Sequence, residues 1–317
     1  MQLKTNRRCF LLAIALACLA LHADGQKPDH WVGTWTAAPV PIDNSKGLLG
    51  SADYTIREIV HISLQGSTVR IVLSNEMGTA PLTIGGARIA LSAGGNEIVA
   101  SGSVPLSFNG ASSVTIPVGA KILSDSLAMQ LPFGSNLAIS LFLPKQAIPQ
   151  LTEHAYGNQS NYFAPGNQME AQSLEHPIEV DSWHFLTAVE VEASAESAAV
   201  VTLGDSITDG AVSTRSANLR WPDDLARRLH AHKKTQHLAV LNEGIGGNRV
   251  LHDQAGPNAG PSALTRFDRD VLAQPEVKYL LILEGINDIG LATRPTNPID
   301  PVSVEDLVLG LSQLTER

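Results

Sequence analysis

The chain has 317 residues, 44% of them hydrophobic, enough for one large core or two modest ones, which excludes a disordered chain. Acidic residues outnumber basic ones, 31 to 22, for a formal net charge of −9. A surface of that sign is poorly suited to phosphate backbones and anionic lipid, so nucleic-acid and membrane-surface roles drop out.

The first stretch, MQLKTNRRCFLLAIALACLALHADGQ, has a basic head at Lys4, Arg7 and Arg8, then an apolar run from Phe10 to Leu21. That run is too short to span a bilayer comfortably, and small residues follow at Ala20 and Ala23. This order predicts a signal peptide over residues 1–23 and hence a secreted or periplasmic protein. Both cysteines, Cys9 and Cys18, fall inside it, so the mature chain is expected to have no disulfide, thiol nucleophile or cysteine-based metal site. Its removal takes three of the 22 basic residues and leaves 19 against 31 acidic ones, a net charge of −12.

Residues 27–195 read as short strands. TIREIVHISL, STVRIVLSN, ARIALS, SSVTIPVG and NLAISLFLP are rich in Val, Ile and Leu, with turn residues in NEMG, AGGNE, NG and PFGSN. In TVRIVLS, Val69, Ile71 and Leu73 alternate with Arg70 and Val72, the period of a half-buried strand. No helical period stands out. The expected fold is an all-β, jelly-roll-like sandwich whose two sheets bury the alternating residues.

From residue 196 to 317 the pattern changes. AVVTLGD predicts a buried strand, LRWPDDLARRLHAHKK a helix and HLAVLNEGIGGN a second strand. PSALTRFDRDVLAQ predicts a second helix, VKYLLILEGIND a third strand and VSVEDLVLGLSQLTER a third helix. Three strand–helix alternations predict an α/β domain with a parallel doubly wound sheet, which places its chemistry at the carboxyl ends of the strands.

Each of those strands ends in a small polar cluster: Gly204 to Ser206 (GDS), Asn242 to Asn248 (NEGIGGN) and Gly285 to Asp288 (GIND). Strand ends in one parallel sheet lie side by side, so the three should converge. A serine, glycine amides and an asparagine amide at one point make a nucleophile surrounded by hydrogen-bond donors. Taken singly, each cluster fits ordinary turn or cap chemistry; three together, each on its own strand, point to a site.

The three clusters resemble the blocks of the SGNH (GDSL-type) serine esterases. The resemblance implies that Ser206 is the nucleophile, that Gly247 offers an oxyanion donor through its backbone N–H, and that Asn287 offers a second through its side-chain amide. It also implies a flavodoxin-like parallel sheet. The β-rich first half, with WVGTWTAAP and RIVLSNEMG, is similar to the N-terminal region of some bacterial secreted members. In an acyl transfer these donors would stabilise the tetrahedral oxyanion more than the planar ester. A side chain at position 247 would crowd the substrate. Asp205 and Asp288 are expected to hold the loops.

The family's base is a histidine in an Asp-x-x-His block near the C-terminus. The last histidine here is His252, followed by Asp253, and it reads as a loop residue. His230, His232 and His237 read as helix-surface or strand-entry residues, and His154 and His184 as lining a cleft or filling a core. The sheet is therefore expected to be incomplete at its C-terminal end, and the chain to be truncated before that block and inactive or nearly so.

The leading functional expectation is a secreted esterase removing acetyl or other short acyl groups from carbohydrate or a related substrate. A lipase or thioesterase for longer chains is the rival within the same fold. A glycan-binding protein is the alternative from another class, with Trp31, Trp35 and Trp183 as its stacking candidates, although such residues are more often core. No cofactor is expected: His230 and His232 do not share a helix face, and GIGGNR lacks the full pattern of a nucleotide loop. The sequence sets no oligomeric state.

Overall fold

The computed structural model describes residues 30–99, 102–254, 259–294 and 299–317. The segment read as a signal peptide, with both cysteines, lies outside the described residues.

Two antiparallel sheets dominate the first half. One runs in the order Trp31–Thr36, Leu186–Glu192, Gly66–Ser74, Lys121–Leu123, with Leu127–Leu131 also paired to Gly66–Ser74. The other runs Ile178–Val180, Asn161–Pro165, Tyr54–His61, Asn136–Leu143, Gly86–Gly94, Glu97–Ile98, with Val104–Leu106 added to Gly86–Gly94. Alternation decides what each face buries. Val69, Ile71 and Leu73 share one core with Ile56, Val60, Leu137, Ile139 and Leu141 of the facing sheet. Val72, expected on the solvent side, is buried as well. Its face of the sheet meets Glu243, Arg269 and Asp270 of the second half.

One charged group sits inside this core. Glu58 is fully buried on the inward face between Ile56 and Val60. The His184 ring lies 3.6 Å from Glu58 and 3.4 Å from Glu153, and the His184 backbone N–H also donates to Glu58. Burial opposes charge on His184, but its contacts with Glu153 and Glu58 outweigh this and push its pKa up to about 9. Burial also works against charge on Glu153, yet His184 holds that carboxyl below its usual range. Glu58 is pushed up, because burial outweighs the same histidine.

The second half is built on three parallel strands, β1 (Ala198–Gly204), β2 (Leu238–Gly244) and β3 (Val277–Leu283), in the order β2-β1-β3. The helices are α1 (Ser206–Asp209), α2 (Trp221–His230), α3 (Ala263–Phe267), α4 (Ile286–Ala292) and α5 (Val304–Glu316). Val200 and Val240 pack with Ala226, Leu225 and Leu229 of α2. Val201, Leu203, Ala239 and Leu241 join the main core with Phe267 and Val271.

Three expectations need correction. The helix read through Lys234 stops at His230, because no large apolar residue follows Leu229 before Leu238 and the Thr235 hydroxyl donates to the Leu229 carbonyl at 2.7 Å. The helix read as Pro261–Gln274 is α3 followed by one π turn, Asp268–Leu272. The GIND stretch, read as a strand end, starts α4: Gly285 takes φ +110°, which turns the chain directly from β3 into a helix.

The two halves share their core. The strand Trp31–Thr36 lies against β2, where a Cβ on Gly33 would come within 2.9 Å of the Leu241 side chain. The Ser63 hydroxyl lies 2.7 Å from Thr34 O and 2.8 Å from Val240 O, between which its single proton is shared, and accepts from the Val240 N–H at 3.0 Å, so it engages polar groups on β2. On the other side β3 pairs only with β1 among the described residues, and Tyr279, Leu281 and Leu283 on one of its faces are exposed.

Replacing His184 by Ala would strand the buried Glu153 carboxylate and leave buried Glu58 without its partner. It is expected to cost about 3–5 kcal/mol in urea unfolding near neutral pH. A loss below about 1 kcal/mol would contradict the role given to this cluster.

Candidate active site

The first cluster begins where β1 stops. Gly204 has no room for a side chain: a Cβ would lie 2.1 Å from Thr208 Oγ1 and 2.9 Å from Leu283 O. Asp205 is the N-cap of α1, its Oδ1 accepting the Ile207 N–H at 2.9 Å, and burial pushes its carboxyl pKa up. Ser206 follows as the first residue of that helix and is partly exposed. Gly210 at φ +105° ends the helix, and α1 packs so close to β2 that a Cβ on Gly244 would sit 2.2 Å from Asp209 N.

The register of the parallel sheet brings the clusters together. Gly204 pairs with Gly244 on one side and Leu283 on the other. Side-chain and loop contacts then join the segments beyond the strand ends. Asn242 donates to Thr208 O at 2.9 Å, Ile245 N–H to Gly204 O at 2.9 Å, and Gly246 N–H to Asp209 Oδ2 at 2.9 Å. Asn287 Nδ2 donates to Asn248 O at 2.9 Å, which leaves its second amide hydrogen available. Asp288 is buried and accepts from Val250 N–H at 2.8 Å and Leu251 N–H at 3.2 Å, tying the third segment to the second.

Gly247 lies in the middle segment with φ +79°. The nearest atom to an added Cβ, Ala259 N, would be 3.4 Å away, so the left-handed backbone is a stronger requirement for glycine than protein crowding. The Ser206 and Gly247 amides donate to no described protein acceptor.

Beneath the convergence point lies Arg266, fully buried. Its Nη2 donates to Gly204 O at 3.1 Å, its Nη1 to Glu243 O at 2.7 Å and to Asp270 at 3.0 Å, and its Nε to Asn248 Oδ1 at 3.0 Å. Glu284 approaches to 3.5 Å with one oxygen unpartnered among the described residues. Burial pushes Glu284 up to about 8 in spite of Arg266, and pushes Glu243 up to about 8 with Asp270 adding to the shift. Asp270 stays below its usual range, because Arg269 and Arg266 outweigh its burial.

The structure thus brings Ser206, Gly247 and Asn287 onto neighbouring strand ends. It brings no described histidine to them. His154 contacts Ala38 O and Asp209, His184 contacts Glu58 and Glu153, His30 contacts Ser197 O and His61 contacts Asn136. His230 stacks on Phe133, and His252 lines a groove with Leu264, Asp306 and Leu309 of the α5 side. Trp35 and Trp183 meet edge-to-face in the core at 5.2 Å, and Arg70 covers Trp31, so these tryptophans do not form a stacking platform for sugars. Arg266 and Asp209 escaped sequence reasoning; an arginine and an aspartate on helices carry no sign of burial.

The sequence model of the GDSL-like lipase/acylhydrolase family matches residues 202–316. A comparison with curated proteins gave no match. Among solved structures, the inhibitor-bound aryl esterase of M. smegmatis is 22% identical over 38% of this chain and 54% of its own, with TM-score 0.30. An Agrobacterium tumefaciens str. C58 protein described as an arylesterase is 30% identical over 38% of this chain and 53% of its own, with TM-score 0.29. A family two carbohydrate esterase from Clostridium thermocellum, in complex with cellohexaose, is 11% identical over 92% of this chain and 70% of its own, with TM-score 0.29. The chain spans about half the length of the first two structures.

Glu284 gives a pH prediction. Its folded pKa is raised above the ordinary 4.5 to about 8, so its stabilising contribution is full at acid pH and is lost as pH rises through about 8. Unfolding free energy should fall across that range, and Glu284→Gln should flatten part of the fall. An equally steep fall in the variant would contradict the assignment.

Proposed function

We propose that the chain carries the nucleophile and oxyanion donors of a carboxylic ester hydrolase. The observation that carries this reading is the junction of three strand ends. Ser206, two protein-unpaired backbone amides and the free half of the Asn287 amide belong to segments cross-linked by short hydrogen bonds. The match of residues 202–316 to the GDSL-like lipase/acylhydrolase family supports it.

In this reading Ser206 Oγ gives its proton to an added base such as imidazole and bonds to the ester carbonyl carbon, whose oxygen becomes the alkoxide of a tetrahedral intermediate. The Ser206 N–H, the Gly247 N–H and the Asn287 amide stabilise that charge, which is absent from the planar ester and so lowers the barrier. Collapse breaks the bond to the alcohol oxygen, which leaves with the proton held by that base, and the acyl group stays on Ser206; water then gives a proton to the base as it attacks the acyl-serine, and the acid departs as the proton returns to Ser206 Oγ. Asp205 and Asp288 hold the loops, since carboxylates aimed at the oxyanion would oppose it. The three parallel strands, with helices packed on opposite faces, are read as part of a doubly wound sheet.

No described histidine reaches Ser206, so this chain alone is expected to turn over slowly. Binding and oxyanion stabilisation without a base retain roughly 10³–10⁴ over water in other serine hydrolases. For the substrate we propose short acyl esters of carbohydrate or a related exported compound, on the strength of the signal-like first segment and the β-rich first half.

The test supplies the base from outside. With p-nitrophenyl acetate and added imidazole, peptide mass spectrometry should find acetyl on Ser206, and Ser206→Ala should abolish the protein-dependent release of p-nitrophenol. Asn287→Ala should slow acetylation by about 10²–10³. Acetyl found elsewhere, with Ser206 unmodified, would refute the reading.

A further inference from the structure

One buried ion pair links the first half to the middle segment. His154, on the strand Gln150–Ala155 of a small third sheet in the first half, between Val40–Asp43 and Ser182–His184, places Nδ1 2.8 Å from Ala38 O and Nε2 3.0 Å from Asp209 Oδ1. Asp209 is the last residue of α1, and its other carboxylate oxygen accepts the Gly246 N–H at 2.9 Å. Both side chains are buried. We propose that His154 is a positioning residue for the oxyanion loop: acting through Asp209, it fixes the Gly246–Gly247 turn against α1. The proposal rests on the esterase reading of Ser206.

The geometry defines the chemical state of the pair. A neutral imidazole has a single N–H, whereas here both ring nitrogens face acceptors, a carbonyl and a carboxylate. Both contacts are satisfied only by an imidazolium. The charged and titratable groups around it are Asp209 on α1, Glu243 on β2 and Glu153 on its own strand, with Arg220, Asp223 and His61 lining the same small cavity. Burial disfavours the charged ring, but Asp209 outweighs burial and holds its pKa above the ordinary value. A charge-assisted bond at each end makes the link stiff. It ends on the amide next to the donor at Gly247, where a displacement of one ångström matters to catalysis.

A purely structural role would affect stability and leave the chemical step alone. The experiment therefore follows acetylation of Ser206 in the full chain, with p-nitrophenyl acetate and imidazole, as a function of ester concentration. Asp209→Asn keeps the shape but replaces one of the two acceptor oxygens by an NH₂, so it cannot accept from both His154 and Gly246. It and His154→Gln should each lower the limiting acetylation rate, by about 10²-fold, with little change in the half-saturating ester concentration. Arg57→Met, which removes a buried guanidinium bonded to Ser140 and to the Asn96 and Ala171 carbonyls of the sandwich, should leave the limiting rate unchanged. Hydrogen exchange should quicken in peptides covering residues 244–250 in the first two variants and not in the third. Wild-type acetylation with Asp209→Asn and His154→Gln at the wild-type rate would overturn this assignment alone. If Ser206 is never acetylated in the wild-type chain, the esterase reading fails and the assignment fails with it.

Discussion

Two parallel strands end with carbonyls directed at one place, and the guanidinium of Arg266 fills it. Gly204 O from β1, Glu243 O from β2 and the Asn248 side chain all accept from this one group. A buried guanidinium is costly unless its donors are matched, so each bond constrains the position of the others. The rest of the site is fixed relative to this anchor. Asn248 presents its backbone carbonyl to Asn287, and Asp288 takes two amides just beyond it. The strand ends that lead to Ser206, Gly247 and Asn287 are thus tied together by buried groups.

The first half takes part in that arrangement. Ser63 occupies polar groups of β2, Gly33 admits the close approach of the strand Trp31–Thr36, and His154 reaches the end of α1. The continuity of the core across both halves argues against a freely hinged module. The first half also keeps Trp35 and Trp183 in its interior, where they meet edge-to-face.

Much of the framework was legible in the pattern of residues. Period-two runs such as TVRIVLS marked strands, and the small-residue clusters after AVVTL, HLAVL and YLLIL marked the strand ends whose register the sheet then provides. What escaped was of two kinds. Local boundaries failed where one residue decided them: Gly285, with its left-handed backbone, starts α4 at once, and Thr235 caps a helix that composition alone extends. Buried polar partners failed because they are remote in sequence. Nothing local tells that Glu58 meets His184, that Asp209 meets His154, or that Arg266 points inward from a helix of mixed polarity.

The central claim is that Ser206, Gly247 and Asn287 surround one reacting oxygen. Its most direct test is a crystal structure of the chain after reaction with diethyl p-nitrophenyl phosphate, whose phosphoryl oxygen mimics the oxyanion. The account predicts a phosphorus atom on Ser206 Oγ and a phosphoryl oxygen about 2.7–3.1 Å from both Gly247 N and Asn287 Nδ2. A phosphoryl oxygen turned to solvent, out of reach of both donors, would contradict it.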